Sequence, residues 1–481
     1  MRSRVSISDA EAPLVPEVAE TEERAGRLKR PGAQVLHWVR HKLGIDRAIA
    51  FTVMGRGWAS FAGLVTVALI ARFLTPAEQG YYYTFGSLVA LQIIFELGFS
   101  FVILQMASHE RAHLTIASDD SVSGDSVAHD RLASVLQKTV RWYTTAAALL
   151  AIFLLIAGSY FFSTYHHGGQ HVAWRIPWYA DALAATLTFQ LDPMLSFLEG
   201  CGFVANVARV RLAQAMTGSS LAWIALATHH GLFAPAMVIT GNASVSLIYL
   251  VRRRRLLLPL LRRSPGENRI HWMREVWAFQ WRIAVSWLCG YFIFQLYNPV
   301  LFAFHGPVVA GQMGMSLSLA NALTAVAISW INTKAAPFGA MIARKEYREL
   351  DRIFFQSMKQ AMSVCGIGIL TLWCIVLFLN WAHFSLAHRV LDPITIGILL
   401  ATTPISVINF GQATYLRAHK QEKFLLNSVL GAILIAASTF FLGKSYGAPG
   451  VVIGSLLVGL IMGLPLGTYM FVKYRRIWHA V

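Results

Sequence analysis

Apolar runs of about twenty residues recur along the chain, separated by short polar stretches, and each is long enough as a helix to cross roughly 30 Å of hydrocarbon. They fall at 48–71, 83–106, 142–162, 176–198, 213–228, 232–251, 283–304, 312–333, 358–380, 393–416, 424–443 and 450–472. The pattern predicts an all-α integral membrane protein of about 12 transmembrane helices. Composition agrees: 56% of the residues are hydrophobic and 14% are charged, against about one-quarter charged in a soluble domain.

The charge that remains is distributed by loop. With the N-terminus inside, 36 of the 41 Lys and Arg residues fall in the N-terminal segment, alternate loops and the C-terminal tail. The opposite loops hold Arg72, Arg175, Arg389 and Lys444, and Arg56 lies within a span. This is the positive-inside pattern, and it places both termini in the cytoplasm. The net charge of +17 is therefore read as topogenic, with a secondary attraction to anionic lipid, and no nucleic-acid partner is expected. Residues 1–47 form a cytoplasmic tail without a signal-like apolar core, rich in Pro, Glu and Arg and expected to be disordered. Within it, 33–47 suit either a surface-lying amphipathic helix or a polar linker.

The longest basic interruption, 252–282, divides six spans (48–251) from six (283–472) and leaves a C-terminal tail at 473–481. An internal echo supports two six-helix lobes. Pro76-Ala-Glu-Gln-Gly80 follows the first span and Pro307-Val-Val-Ala-Gly311 the seventh, each a P-x-x-x-G turn. Equal helix counts and equal orientation then imply a parallel repeat about an axis along the membrane normal.

The loops leave no room for a catalytic domain, and no G-x-x-x-x-G-K-[ST] phosphate loop is present, so no enzyme activity is expected. Cys201, Cys289, Cys365 and Cys374 lie in or beside spans without ligand spacing and read as packing residues. Histidines such as His166, His167, His229 and His230 read as dispersed surface residues more readily than as a metal or pH-sensing cluster. No cofactor or metal is called for.

A charged side chain near the centre of a membrane helix costs at least about 2.5–3.5 kcal/mol on insertion scales, so the few present are candidates for transport chemistry. Arg56 stands about 12 Å into the first span and Glu96 about 15 Å into the second from the same side, depths that suit a pair. Asp181 and Asp192 lie eleven residues apart in the fourth span, within about 20° of one another around a helix. Arg56 suits an anionic group, and one of the acids could take a proton or a sodium ion. A structural Arg56–Glu96 ion pair is the plainer alternative. Asp192-Pro193, Asn298-Pro299 and Pro404 mark bends or hinges. In the second half, Gln295, Asn298, Asn321, Asn332 and Asn409 are polar and uncharged. They suit interhelical hydrogen bonds or a weakly ionic cavity wall open to sugar hydroxyls or a lipid tail. Arg282 and Lys334 sit at cytoplasmic span ends as possible entrance cations. Asp392-Pro393 reads as a helix cap with proline in the first turn, and Tyr81–Tyr83 as an interfacial aromatic anchor.

The run Ala71-Arg72-Phe73-Leu74-Thr75-Pro76-Ala77-Glu78-Gln79-Gly80, followed by Phe95-Glu96-Leu97-Gly98-Phe99 and Gln105, resembles the opening of O-antigen-type polysaccharide flippases. These belong to the multidrug, oligosaccharidyl-lipid and polysaccharide exporter superfamily. Glu96 stands where the commoner residue is Asp. Leu198-Glu199-Gly200-Cys201-Gly202 with Arg209 and Arg211 is a second resemblance. The motifs cover roughly the first 210 residues. The resemblance implies a V-shaped pair of lobes in a bacterial inner membrane. It also implies a polyprenyl-diphosphate-linked glycan moved from the cytoplasmic to the periplasmic leaflet, with membrane lipid and other glycan-assembly proteins as partners. Relatives often carry several cavity cations, whereas this chain has one clear intramembrane cation. The alternatives are a cation-coupled drug or metabolite antiporter of the same superfamily, an integral membrane enzyme of glycan assembly, or a scaffold for envelope synthesis.

Overall fold

The computed structural model describes residues 47–117, 119–165, 172–275, 277–419, 421 and 423–479. Of the tail expected at 1–47 and the surface helix at 33–47, all but Arg47 lie outside the described residues, as do His166 and His167. Described residues 47–252 form α1 (Arg47–Phe73), α2 (Pro76–Val89), α3 (Ile93–Glu96), α4 (Phe99–Arg111), α5 (Ser126–Phe153), α6 (Ser159–Thr164), α7 (Arg175–Gly200), α8 (Val204–Ala227) and α9 (Ala234–Arg252). A small antiparallel hairpin, β1 (Leu114–Ile116) with β2 (Val122–Gly124), joins α4 to α5. The remainder forms α10 (Arg254–Arg262), α11 (Trp272–Glu275), α12 (Trp277–Phe294), α13 (Tyr297–Asn332), α14 (Ala335–Ala343), α15 (Tyr347–Trp381), α16 (Pro393–Ala418), α17 (Leu425–Val458) and α18 (Leu464–His479).

Two continuous apolar stretches, Ile283–Ala343 and Leu425–His479, are 61 and 55 residues long, far more than one crossing needs. Each turns at a glycine in the left-handed region beside a proline. Gly306 (φ 85°) precedes Pro307, and Gly447 (φ 64°) stands two residues before Pro449. Glycine supplies the positive φ without steric cost, and proline cannot continue the preceding hydrogen-bond ladder. Past Gly447 the chain doubles back, since a Cβ on Gly454 would meet Ser438 at 3.0 Å. Counting each limb, the described residues supply the twelve crossings that the apolar runs predict. Large apolar side chains remain exposed along them, Leu149, Ile152, Ile156, Ile367 and Ile461 among them, as a lipid-facing surface requires. At α16, Asp392 Oδ2 accepts from the Thr395 N–H at 3.0 Å with Pro393 in the first turn, as its sequence predicts.

The two P-x-x-x-G segments are not turns. Pro76 opens α2 behind a Thr75/Glu78 capping box, and Pro307 opens the second limb of α13. Proline favours a first helical turn because the amide it lacks would be unbonded there. Gly80 and Gly311 therefore lie inside helices, and these helices press together. A Cβ on Gly80 would collide with the Pro307 carbonyl, one on Gly311 would stand 2.8 Å from the Gly80 nitrogen, and one on Gly314 would enter the Tyr83 ring. Buried Gln79 locks the contact, its Nε2 donating to the carbonyls of Gly311 (2.8 Å) and Arg389 (2.9 Å). Gln312, just after the second glycine, donates to the His388 carbonyl at 3.0 Å.

A single apolar core runs through this contact from Phe85, Phe162 and Trp178 to Phe302, Met313 and Val451. Tyr81, expected as an interfacial anchor, is 4% exposed and packs on Phe85, Phe162 and Phe302. The α14–α15 end of the second half has its own cluster, built on Phe338, Phe354, Tyr415 and Phe471.

The basic segment between the halves is strapped to the first. Leu256, Leu257 and Leu260 of α10 are buried, and Gln137 of α5 donates to the carbonyls of Leu260 (3.0 Å) and Arg263 (2.6 Å). Arg253 bonds Asp120, Arg263 bonds Asp130 at 2.6 Å and Arg131 bonds Glu275 at 2.6 Å. Lys138 donates to the Ile270 carbonyl at 2.6 Å, and Phe99 stacks on Trp272 with centroids 4.3 Å apart. Hydrogen bonds from Asn268 and Arg263 hold the Asp130 carboxyl below the usual carboxylate range.

Gly80→Val is expected to lower the melting temperature of the solubilised protein, in line with an overpacking cost of about 1–3 kcal/mol. Gly86→Ala, where an added Cβ meets nothing within 4 Å, serves as the unchanged control. The strap carries a pH signature. A carboxyl with a depressed pKa stabilises above its unfolded value, about 3.9, and that contribution is lost as pH falls through the lower folded value. Asp130→Asn is expected to speed amide exchange across 263–275 at pH 7 and to leave it unchanged at the acid limit.

Candidate functional site

The second span is broken where its acid lies. Leu97 (φ 50°) and Gly98 (φ 67°) both adopt the left-handed region, and the axis bends by 46° between Pro76–Glu96 and Phe99–Arg111. Two successive left-handed residues end the α3 ladder at Glu96 and restart it at Phe99. Gly98 is required twice over: by its φ, and because a Cβ there would collide with Ile283 of α12. Broken helix at membrane depth is tolerated where it is buried in protein or lines a polar cavity.

Around the break four helices bring polar groups together. Asp192 of α7 and Ser100 lie within electrostatic reach of Glu96. The Ser100 hydroxyl pairs with the Tyr143 hydroxyl of α5 at 3.1 Å, and buried Tyr143 feels both carboxylates. Asp192 is exposed, with Gln214 and Arg211 of α8 nearby. Gln214 is fixed by its bond to Ser246 of α9 at 2.7 Å, and Arg211 by its ion pair with Glu199 at 2.8 Å. Glu199 and Arg211 come from the Leu198–Gly202 motif region, whose Gly200 lies against the α4 backbone at Leu104.

The other sequence candidates are spread out. Arg56 is exposed on α1. Two residues on, about 200° around the helix, Trp58 faces α8 and donates to the Ala215 carbonyl (3.3 Å) and Ser219 hydroxyl (3.1 Å). No ion pair forms between Arg56 and Glu96. Asp181 has 0% exposure, and neither of its carboxylate oxygens has a hydrogen-bond partner among the described residues. Tyr82 is the group within its electrostatic reach. Thus Asp181 and Asp192 share a helix but occupy different surroundings.

Asn298 is buried and donates to Ser87 of α2 at 3.3 Å, a bond between the halves. It follows the α12–α13 break at Gln295–Leu296. Asn321 is exposed and, with Asn409, lines a cavity of about 440 Å³. Lys334 is exposed between α13 and α14. Position 282 lies in α12, and its side chain is outside the described residues. Sequence reasoning missed Tyr143, Ser100 and Gln214. Ser100 carries a legible signal, four residues after Glu96; the other two are single polar residues with no spacing to mark them.

No protein-family model and no curated protein matches the sequence. Solved structures do match in three dimensions. The MATE multidrug transporter DinF-BH, solved as a complex, aligns with a TM-score of 0.57 at 12% identity, over 90% of this chain and 96% of its own. An inward-facing multidrug resistance MATE family transporter of the MOP superfamily aligns with a TM-score of 0.55 at 12% identity, over 87% and 99%. The lipid II flippase MurJ in an inward closed conformation aligns with a TM-score of 0.54 at 11% identity, over 90% of each chain.

The fold is the one these transporters share. The likeness runs nearly the full length of both partners, so the twelve-crossing arrangement is matched as a whole.

The site geometry is open to a direct check. In a background without native cysteines, a short bis-maleimide is expected to join the pair in Glu96→Cys/Asp192→Cys. It should leave Asp181→Cys/Asp192→Cys, about 16 Å apart along α7, unjoined, as read by mass spectrometry of the cross-linked peptides.

Proposed function

We propose that this chain flips a polyprenyl-diphosphate-linked oligosaccharide from the cytoplasmic to the periplasmic leaflet of a bacterial inner membrane, by alternating access coupled to a proton or sodium ion. The observation that carries the reading is the break in the second span, where the left-handed Leu97 and Gly98 end a helix at Glu96 and the axis bends by 46°. A carboxylate at membrane depth is costly unless it takes up a proton or stands by a cation. Binding a proton or sodium ion there would remove that cost and favour one packing of the helices around the bend. Arg56 supplies the opposite chemistry: a guanidinium fork suited to diphosphate, exposed on α1 and without an ion-pair partner among the described residues.

In this reading 48–251 and 283–472 are the two lobes and rock about the Gly80–Gly311 contact. Both termini are cytoplasmic, Arg282 and Lys334 attract the headgroup at the entrance, and the polyprenyl tail stays in lipid. Asn298 and Asp181 then act at the seam between the lobes and in the first lobe's core. The fold likeness to a lipid II flippase supports the class of cargo, and the sequence resemblance to O-antigen-type flippases supports the glycan.

In cells lacking the natural copy, Arg56→Ala is expected to abolish glycan display while the variant still inserts in the membrane; display at the wild-type level would remove Arg56 from headgroup binding. In proteoliposomes, Glu96→Gln is expected to make translocation indifferent to an imposed proton or sodium gradient. Extrusion of cationic dyes in place of lipid-linked glycan would instead favour the drug antiporter.

A further inference from the structure

The second lobe contains a cavity that the carboxylate site does not use. It is a partly open space of about 440 Å³ among α12, α13, α16, α17 and the helical turns before α18, within the range of small-molecule sites. Three carboxamides from three helices face it: Asn321, Asn409 and Asn427. Among the described residues no carboxylate lines it, and Arg417 is the one charged residue in its wall.

The bonding state of these groups says what they would recognise. Thr324 donates to the Ala320 carbonyl (2.8 Å), Ser406 to Thr402 (3.2 Å) and Ser428 to Phe424 (3.3 Å). Their protons are committed to their own helices, so each hydroxyl turns oxygen lone pairs toward the space. Asn427 is 6% exposed, and its Oδ1, like that of Asn409, is buried without a donor among the described residues. Both oxygens are covered, that of Asn409 standing against Gly467; a buried acceptor left unbonded costs about 1–3 kcal/mol, which a ligand bringing hydroxyl groups would offset once the carboxamide turns toward the cavity. The carboxamide nitrogens donate in return. Phosphate only accepts, so Arg417 and the carboxamide nitrogens are the groups that could serve it, and the hydroxyl and carboxamide oxygens of the wall would go unmet. Apolar surface at Phe294, Ile328 and Phe410 completes a lining suited to the C–H faces of a sugar ring.

We propose that this cavity binds the neutral, hydroxyl-rich sugar portion of the transported molecule, apart from the cationic group that holds its headgroup. The assignment rests on the reading of the chain as a glycan flippase. It divides the cargo between lobes, with the anion held in the first and the sugar in the second.

Cys289, a free and buried cysteine in the cavity wall, is a native reporter. With the full chain in nanodiscs, N-ethylmaleimide modification of Cys289 is followed by peptide mass spectrometry. Saturating maltose or N,N′-diacetylchitobiose is expected to slow it several-fold; sodium chloride against choline chloride, and pyrophosphate, should leave it unchanged. Asn427→Leu and Asn321→Leu should each abolish protection. Should Asn427→Leu fail to fold, Asn321→Leu, at an exposed position, carries the test, with melting temperature as the check on folding. Several results overturn the proposal: a Cys289 that never reacts, no protection by either disaccharide, protection by sodium alone, or protection persisting in folded variants. Loss of sugar protection with glycan display intact would remove this subsite and spare the transport reading. Protection retained by a chain that displays no glycan would do the reverse.

Discussion

The close approach of α2 and α13 at Gly80, Pro307 and Gly311 is the constraint on which the molecule depends. Because Gly80 and Gly311 carry no side chain, two helix starts come into backbone contact, and Gln79 and Gln312 spend their amide protons on carbonyls across the seam and in the neighbouring 385–391 segment. In hydrocarbon there is no hydrophobic drive to press helices together, so small residues and interhelical hydrogen bonds do that work. The common core from Phe85 to Phe302 follows from this contact. The two halves of the chain meet where their P-x-x-x-G segments meet.

On either side of that contact the halves are chemically unlike. The first gathers carboxylates, a tyrosine and a glutamine at a broken helix; the second holds carboxamides and hydroxyls around a cavity without carboxylates among the described residues. Charge in a membrane interior is expensive and is usually kept near a partner or water. Confining the acids to one lobe leaves the other free to present weaker hydrogen-bonding groups, which can release a ligand as easily as they take it.

The twelve crossings were legible in the sequence because lipid demands long apolar runs, and a run of that kind is visible without knowledge of its neighbours. The Asp392 cap was legible for a similar local reason. The meaning of P-x-x-x-G was only half legible: the repeat was visible, but the same letters suit a turn and a helix start, and contact with the partner helix decides between them. The break after Glu96 was hidden because it depends on Leu97 adopting a left-handed conformation, which a leucine does not advertise. Equal depth suggested an Arg56–Glu96 pair, but depth says nothing of which side of a helix a residue occupies. The same limit applies to Tyr81, whose burial comes from α13 and not from its own surroundings in sequence.

The strap formed by 253–275 alters the mechanical connection of the lobes. Bound through Asp120, Asp130, Gln137 and Glu275, it is packed as part of the first half and gives no slack to the second. In the proposed cycle, relative motion at that end would fall on α12, which follows the strap, crosses the bend at Gly98, and ends at the Gln295–Leu296 gap beside Asn298. α12 would then act as a lever arm, carrying movement past the acidic break before it reached the rest of the second half.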